Sequence, residues 1–138
     1  MNENSTAYAL TTTLDVGFAE TVEATRAALA EQGFGVLTEI DIAATMRSKL
    51  DLDLAPHLIL GACNPHLAAQ ALAAEPSVGV LLPCNVVVRT LDEGHTIVEA
   101  MNPAIMSQLS DNPTVAGVAS QALTRLTAAL DLLTAGAA

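Results

Sequence analysis

Aromatic residues are nearly absent from this 138-residue sequence: there is no tryptophan, and Tyr8, Phe18 and Phe34 are the whole aromatic complement. Too few rings are available to build a surface that stacks nucleobases. Positive charge is also scarce, with five Lys and Arg against fifteen Asp and Glu, for a net charge of -10. Such a chain repels phosphate backbones and anionic lipid, which argues against nucleic acid and membrane as partners. No apolar run approaches the roughly 20 residues that span a bilayer, because Asn64, Glu75, Asn85 and Arg89 interrupt the most apolar region. The segment Met1-Asn2-Glu3-Asn4-Ser5 lacks the basic and apolar stretches of a secretory signal, so a cytoplasmic location is expected. Gly33, Gly35 and Gly61 have neither the spacing nor the lysine of a phosphate-binding loop, which disfavours nucleotides.

What is abundant is aliphatic: hydrophobic residues make up 51% of the chain, so the core is expected to be Ala, Val, Leu and Ile. Residues 1–138 suit a single domain, long enough to bury roughly two-thirds of the surface of the unfolded chain. There are no internal repeats or low-complexity linkers.

The Thr-rich run Tyr8 to Leu14 reads as a first strand. An amphipathic helix follows on Phe18, Val22 and Leu29, with Asp15 as a cap and Gly33 just past its end. Gly35 to Ile40 alternates as a strand, and Asp41 is placed to cap a short helix carrying Ile42, Met46 and Leu50. After the acidic turn Asp51 to Pro56, His57 to Cys63 reads as a buried strand. Asn64-Pro65 then opens a third helix, which Glu75-Pro76 stops. Val78 to Thr90 reads as one long apolar strand, turned by Asp92-Glu93-Gly94 into the partner strand His95 to Met101. Asn102-Pro103 leads into an irregular segment. Asp111-Asn112-Pro113 caps a final helix with Val115, Val118, Ala122, Leu126, Leu130 and Leu133 on one face, and Thr134 to Ala138 is expected to fray. Hairpins flanked by helices predict an α+β fold, one mostly antiparallel sheet with helices on one face.

Chemistry concentrates at two cysteines, each followed by asparagine: Cys63 in Ile59-Leu60-Gly61-Ala62-Cys63-Asn64-Pro65, and Cys84 in Leu81-Leu82-Pro83-Cys84-Asn85-Val86. Cys63 precedes a helix start, where the dipole and free N–H groups stabilise a thiolate. Cys84 follows Pro83, which suggests an edge strand or a bulge. The two thiols face one another if their strands are neighbours. The pair fits a thiol site, a metal site, a disulfide or plain core packing, and in a cytosolic chain reduced thiols are the norm. A metal ion would draw on Cys63, Cys84, His57 and His66, but no local Cys-x-x-Cys or His-x-x-x-His pair supports one. A cysteine-dependent enzyme would need a base, for which His66 is the candidate to serve Cys63, and no acidic residue is identifiable to orient it. Asn64 and Asn85, with carboxylates from Glu39 and Asp41, could orient a ligand. Capping accounts for Asn64 and Asp41 without any function. Asn85 has no such local role and, inside a strand, needs partners.

Phe34-Gly35-Val36-Leu37-Thr38-Glu39-Ile40-Asp41, the two cysteine motifs and Asp111-Asn112-Pro113, in this order, resemble the family named domain of unknown function 302, over about residues 8 to 133. The resemblance implies a β-α-β-β-β-β-α core with short extra helices, related to the TATA-binding-protein-like fold and usually homodimeric. It implies no activity. A homodimer also suits the excess of aliphatic residues, since a strand edge or helix face rich in Val and Leu invites cover by a second subunit. The expectation is thus a cytoplasmic homodimeric domain that binds or senses a small ligand, a metal or thiol oxidation at Cys63, Asn64, Cys84, Asn85 and Glu39. The alternatives are an interaction module with inert core cysteines and, in a different class, an enzyme.

Overall fold

The computed structural model describes residues 6–137, with side chains through Thr134; residues 1–5 and Ala138, which enter the sequence expectations above, lie outside the described residues. Five strands form one antiparallel sheet: β1 (Ala9–Leu14), β2 (Gly35–Asp41), β3 (His57–Cys63), β4 (Cys84–Asp92) and β5 (His95–Met101). Their order across the sheet is β1-β5-β4-β3-β2, with every neighbouring pair antiparallel. Between them run α1 (Phe18–Glu31), α2 (Ile42–Leu50) and α3 (Pro65–Ala74), and after β5 come α4 (Ala104–Leu109) and the long α5 (Pro113–Ala137). This is the expected α+β arrangement.

The pleat sorts the strands into two faces. Leu58, Leu60 and Ala62 of β3 lie beside Val88, Val86 and Cys84 of β4, and Val86 and Val88 beside Ala100 and Val98 of β5. All of these are buried, and all but Cys84 join Leu29 of α1 and Leu126, Ala129 and Leu133 of α5 in the main core. A second cluster gathers Leu67 and Ala71 of α3, Met106 of α4 and Val115, Val118 and Ala122 of α5. The buried α5 positions recur at three- and four-residue steps, the spacing that keeps one stripe against the sheet. On the opposite face the cross-strand row Ile59, Val87, Glu99 and Thr11 is only half-buried. Arg89 Nε donates to Glu99 Oε1 there at 2.9 Å, and Thr11 Oγ1 donates to Glu99 Oε2 at 3.2 Å.

Polar groups caught in the core are satisfied locally. Thr21 Oγ1 donates to the Gly17 carbonyl at 2.8 Å and Thr25 Oγ1 to the Thr21 carbonyl at 2.7 Å, both within α1 and its entry turn. Thr96 Oγ1 reaches the Val16 carbonyl at 2.7 Å and ties β5 to the turn before α1. Among the described residues no buried side-chain nitrogen or oxygen lacks a partner.

Several local expectations need correction. The apolar run from Val78 begins as a 3-10 helix over Pro76–Leu81, and β4 starts only at Cys84. Pro76 sets the backbone for a tight helix, while Val78 fills the second cluster. Pro83 precedes β4, which is the central strand of the sheet and not an edge. The segment after Asn102 is not irregular: Asn102 Oδ1 accepts from the Ala104 N–H at 3.0 Å, and α4 buries Met106. Gly17 stands at the start of α1 with no side-chain cap, while Asp15 lies 3.1 Å from His95 Nε2. Within the Asp111-Asn112-Pro113 cap of α5 it is Asn112 whose Oδ1 accepts, from the Thr114 N–H at 2.9 Å. Helix α5 also continues past Thr134 to Ala137, as suits an alanine-rich end anchored by buried Leu133.

Candidate functional site

Cys63 closes β3, opposite Gly35 of β2, and its chain neighbour Ala62 lies opposite Cys84 of β4. The two cysteines are therefore on adjacent strands, one residue out of register, and Cys63 sits where β3 gives way to α3, so that both side chains border one cavity. Both are free thiols. Cys63 is half-buried and Cys84 buried. Burial pushes the Cys84 thiol up from the ordinary 9.0 to about 11, and a charge on nearby Cys63 would push it the same way.

Asn64 follows at the start of α3. Its Oδ1 accepts from the Leu67 N–H at 3.3 Å, its Nδ2 donates to the Gln32 carbonyl at 3.5 Å, and it is 7% exposed. Pro65 occupies the first turn, where a missing N–H costs nothing. The Asn64 amide is thereby committed to holding α3 and the end of α1 in place.

Cys63, Asn64, Leu67, Leu82, Cys84 and Met106 surround a cavity of about 30 Å³. That is room for about one water molecule, whereas small-molecule sites run to roughly 300–1,000 Å³. The other expected site residues lie elsewhere. Asn85 lies in β4 but is exposed on the open face of the sheet, opposite Gly61, so its amide meets solvent and needs no partner within the fold. Glu39 of β2 is ion-paired with Arg26 of α1. Asp41 caps α2, its Oδ1 accepting from the Ala44 N–H at 2.9 Å.

The histidines do not converge on the thiols. His57 begins β3 opposite Arg89, while Cys63 ends the same strand, a separation of roughly 20 Å at the rise of an extended chain. His66 is exposed on the first turn of α3. Among the described residues no three His, Cys, Asp or Glu side chains are grouped to hold a metal ion. No hydrogen bond among them joins either thiol to a histidine base.

Two features escaped the sequence expectations. One is the flank formed by edge strand β2, helix α2 and the connection after it, where Leu37, Ile40, Leu50, Leu52 and Leu54 are exposed and α2 buries none of its residues. The other is a groove of about 480 Å³ between α1 and the last turns of α5. The spacing of Glu20, Ala24, Ala27 and Glu31 puts them on one line of α1, but the groove needs Leu132 and Leu133 of α5 as well.

An all-antiparallel five-stranded sheet carrying helices on one face, with a thiol and a capped helix start at one end of its central strands, defines an α+β domain built around β3 and β4. Residues 10–133 match the family described as "Domain of unknown function DUF302", and the chain belongs to that family. The chain is similar in structure to an uncharacterized conserved DUF302 protein from Bacillus stearothermophilus, known from its crystal structure. The two are 31% identical with a TM-score of 0.83, over 92% of this chain and 98% of that one. No curated protein matches the chain. Among the described residues no helix is long and apolar enough to cross a membrane.

Proposed function

We infer that the protein is a cytoplasmic homodimeric sensing domain whose responsive group is the Cys63 thiol. The observation that carries this reading is the contrast between two cysteines on one small cavity: Cys63 is half-buried, while Cys84 is buried with its thiol held in the protonated form. A thiolate is the nucleophile in exchange chemistry, so a buried thiol held protonated takes no part and the thiol that reaches solvent is the one left to react. With a small-molecule disulfide as co-reactant, the Cys63 thiolate forms a bond to one sulfur while the other leaves as a thiolate and takes up a proton. The product is a mixed disulfide at the start of α3, and a free thiol reverses it. The size of the cavity favours this chemistry over non-covalent capture of a ligand.

The test is reaction of the native protein with an aromatic disulfide reagent, in the unsubstituted chain and in Cys63→Ser and Cys84→Ser variants. One fast equivalent, lost only in Cys63→Ser, supports the reading. If both thiols stay silent until denaturant is added, it fails.

Assembly rests on a different observation, the exposed flank of β2 and α2. A helix of nine residues is marginal by itself in water, and one with no fully buried residue in its own chain gains stability when a second copy covers it. Leu37 and Ile40 on the edge strand extend the same surface. Sedimentation of the unsubstituted chain as a dimer, and of an Ile40→Asp, Leu50→Asp variant as a folded monomer, is the expected result. An unsubstituted chain that sediments as a monomer at micromolar concentration overturns it.

A further inference from the structure

We propose that the groove between α1 and α5 is a binding site for a slender aliphatic diamine, cationic at both ends and apolar between. Glu20, Ala24, Ala27 and Glu31 follow one another at steps of four, three and four residues, so they form one line along α1. The two alanines leave the middle of that line low, and Leu14 from β1 with Leu132 and Leu133 from α5 make an apolar surround. A carboxylate stands at each end. Eleven residues of helix separate Glu20 from Glu31, about 16 Å along the axis.

Charge and size select the occupant. Glu39 and Glu99 are paired with arginines, but among the described residues neither Glu20 nor Glu31 makes an ion pair. The net charge of -10 adds a long-range attraction for cations and disfavours anionic ligands. The volume of about 480 Å³ lies in the range of small-molecule sites. A twelve-carbon α,ω-diamine with staggered torsions spans about 16 Å between its nitrogens. Its methylenes would lie over Ala24 and Ala27 while its ammonium groups meet Glu20 and Glu31. This site is separate from Cys63 and does not depend on the thiol reading.

Calorimetric titration of the full chain with 1,12-diaminododecane, at 50 mM salt and below the aggregation threshold of the diamine, tests the assignment. Binding should be at least tenfold tighter than for 1,4-diaminobutane, which is too short to reach both carboxylates. Glu20→Gln and Glu31→Gln should each weaken it roughly two- to fivefold, the scale of one exposed ion pair. Glu23→Gln makes the same charge change on α1 outside the groove and should leave it unaltered. Spermine, of equal length but cationic in the middle, should bind more weakly over the apolar floor. The assignment is overturned if the long diamine does not bind at millimolar concentration, if the short one binds as well, if spermine binds as tightly, or if the Glu23→Gln variant loses as much affinity as the other two.

Discussion

Pro83 closes over Gly61: a methyl carbon placed on Gly61 would sit 3.0 Å from Pro83 Cγ and overlap the Thr38 hydroxyl. Gly61 lies within β3 and is itself buried, so the space around it is fixed from two sides, by a rigid ring and by the side chain of a neighbouring strand. Gly61→Ala is expected to destabilise the fold by about 1–3 kcal/mol, the usual cost of an extra methyl group in a filled interior. Urea unfolding followed by far-UV circular dichroism measures it. An unshifted midpoint would show that Thr38 and Pro83 yield freely.

Asn64 holds the corner between β3 and α3 through one accepted and one donated hydrogen bond. Replacing it by alanine removes the cap and should cost about 1–2 kcal/mol. Asn64→Asp keeps an acceptor for the Leu67 N–H and should recover most of the loss. Thermal melting of the three proteins decides the point: equal melting temperatures for Asn64→Ala and the unsubstituted chain would remove the cap from the list of stabilising contacts.

Cys84 ionises at about 11 in the folded chain, against 9.0 when unperturbed. Because the folded state holds the proton more tightly, its contribution to stability is complete below pH 9, declines as pH rises from there, and is fully lost above about 11. At pH 8 about one Cys84 thiol in a thousand is ionised. Unfolding in urea at a series of pH values should therefore give lower midpoints at pH 10.5 than at pH 8.5. The Cys84→Ala variant should show a smaller decline over that interval, and an identical decline would detach it from this thiol.

His95, at the start of β5, is paired with Asp92 across the hairpin turn and with Asp15. The hydrogen bond that His95 Nδ1 donates to the Asp92 carboxylate, reinforced by the charge of Asp92, raises the imidazole above the ordinary 6.5. Its contribution to the hairpin is thus complete below pH 6.5 and fades as pH rises through the elevated value. Titration of the imidazole by NMR should place its midpoint above 6.5 and return it toward 6.5 in Asp92→Asn. A midpoint that ignores that substitution would assign the shift to another partner.

Local chemistry made much of this fold legible. Asn64-Pro65 and Asp41 mark helix starts because a short polar side chain can take an orphan N–H, and both do so here. Gly94 marks the β4–β5 turn because that position needs a positive φ, and it has one of 85°. The run after Glu75 was less legible because a short apolar stretch such as Val78 to Leu82 fits a buried helix turn as well as a strand. Pro83 gave no indication of its central place, since strand order is decided by pairings between distant segments. At the site, the capping role of Asn64 was readable, whereas the exposure of Asn85 depends on which sheet face the helices leave open. The α1 groove was hidden for a similar reason: Leu132 and Leu133 join Glu20 and Glu31 only after the chain has folded.

The strand order also divides the molecule by reach. β2, β3, β4 and β5 each pair with a neighbour in sequence, while β1 crosses to β5 and sets Thr12 beside Val98. Closing that last pairing requires a loop that includes most of the chain, so it is entropically the slowest part of the sheet to form. Until β1 arrives, β5 presents an open row of amides and carbonyls, and the first β1 to reach it need not come from the same molecule. At high chain concentration during refolding, that seam is where two copies can exchange strands.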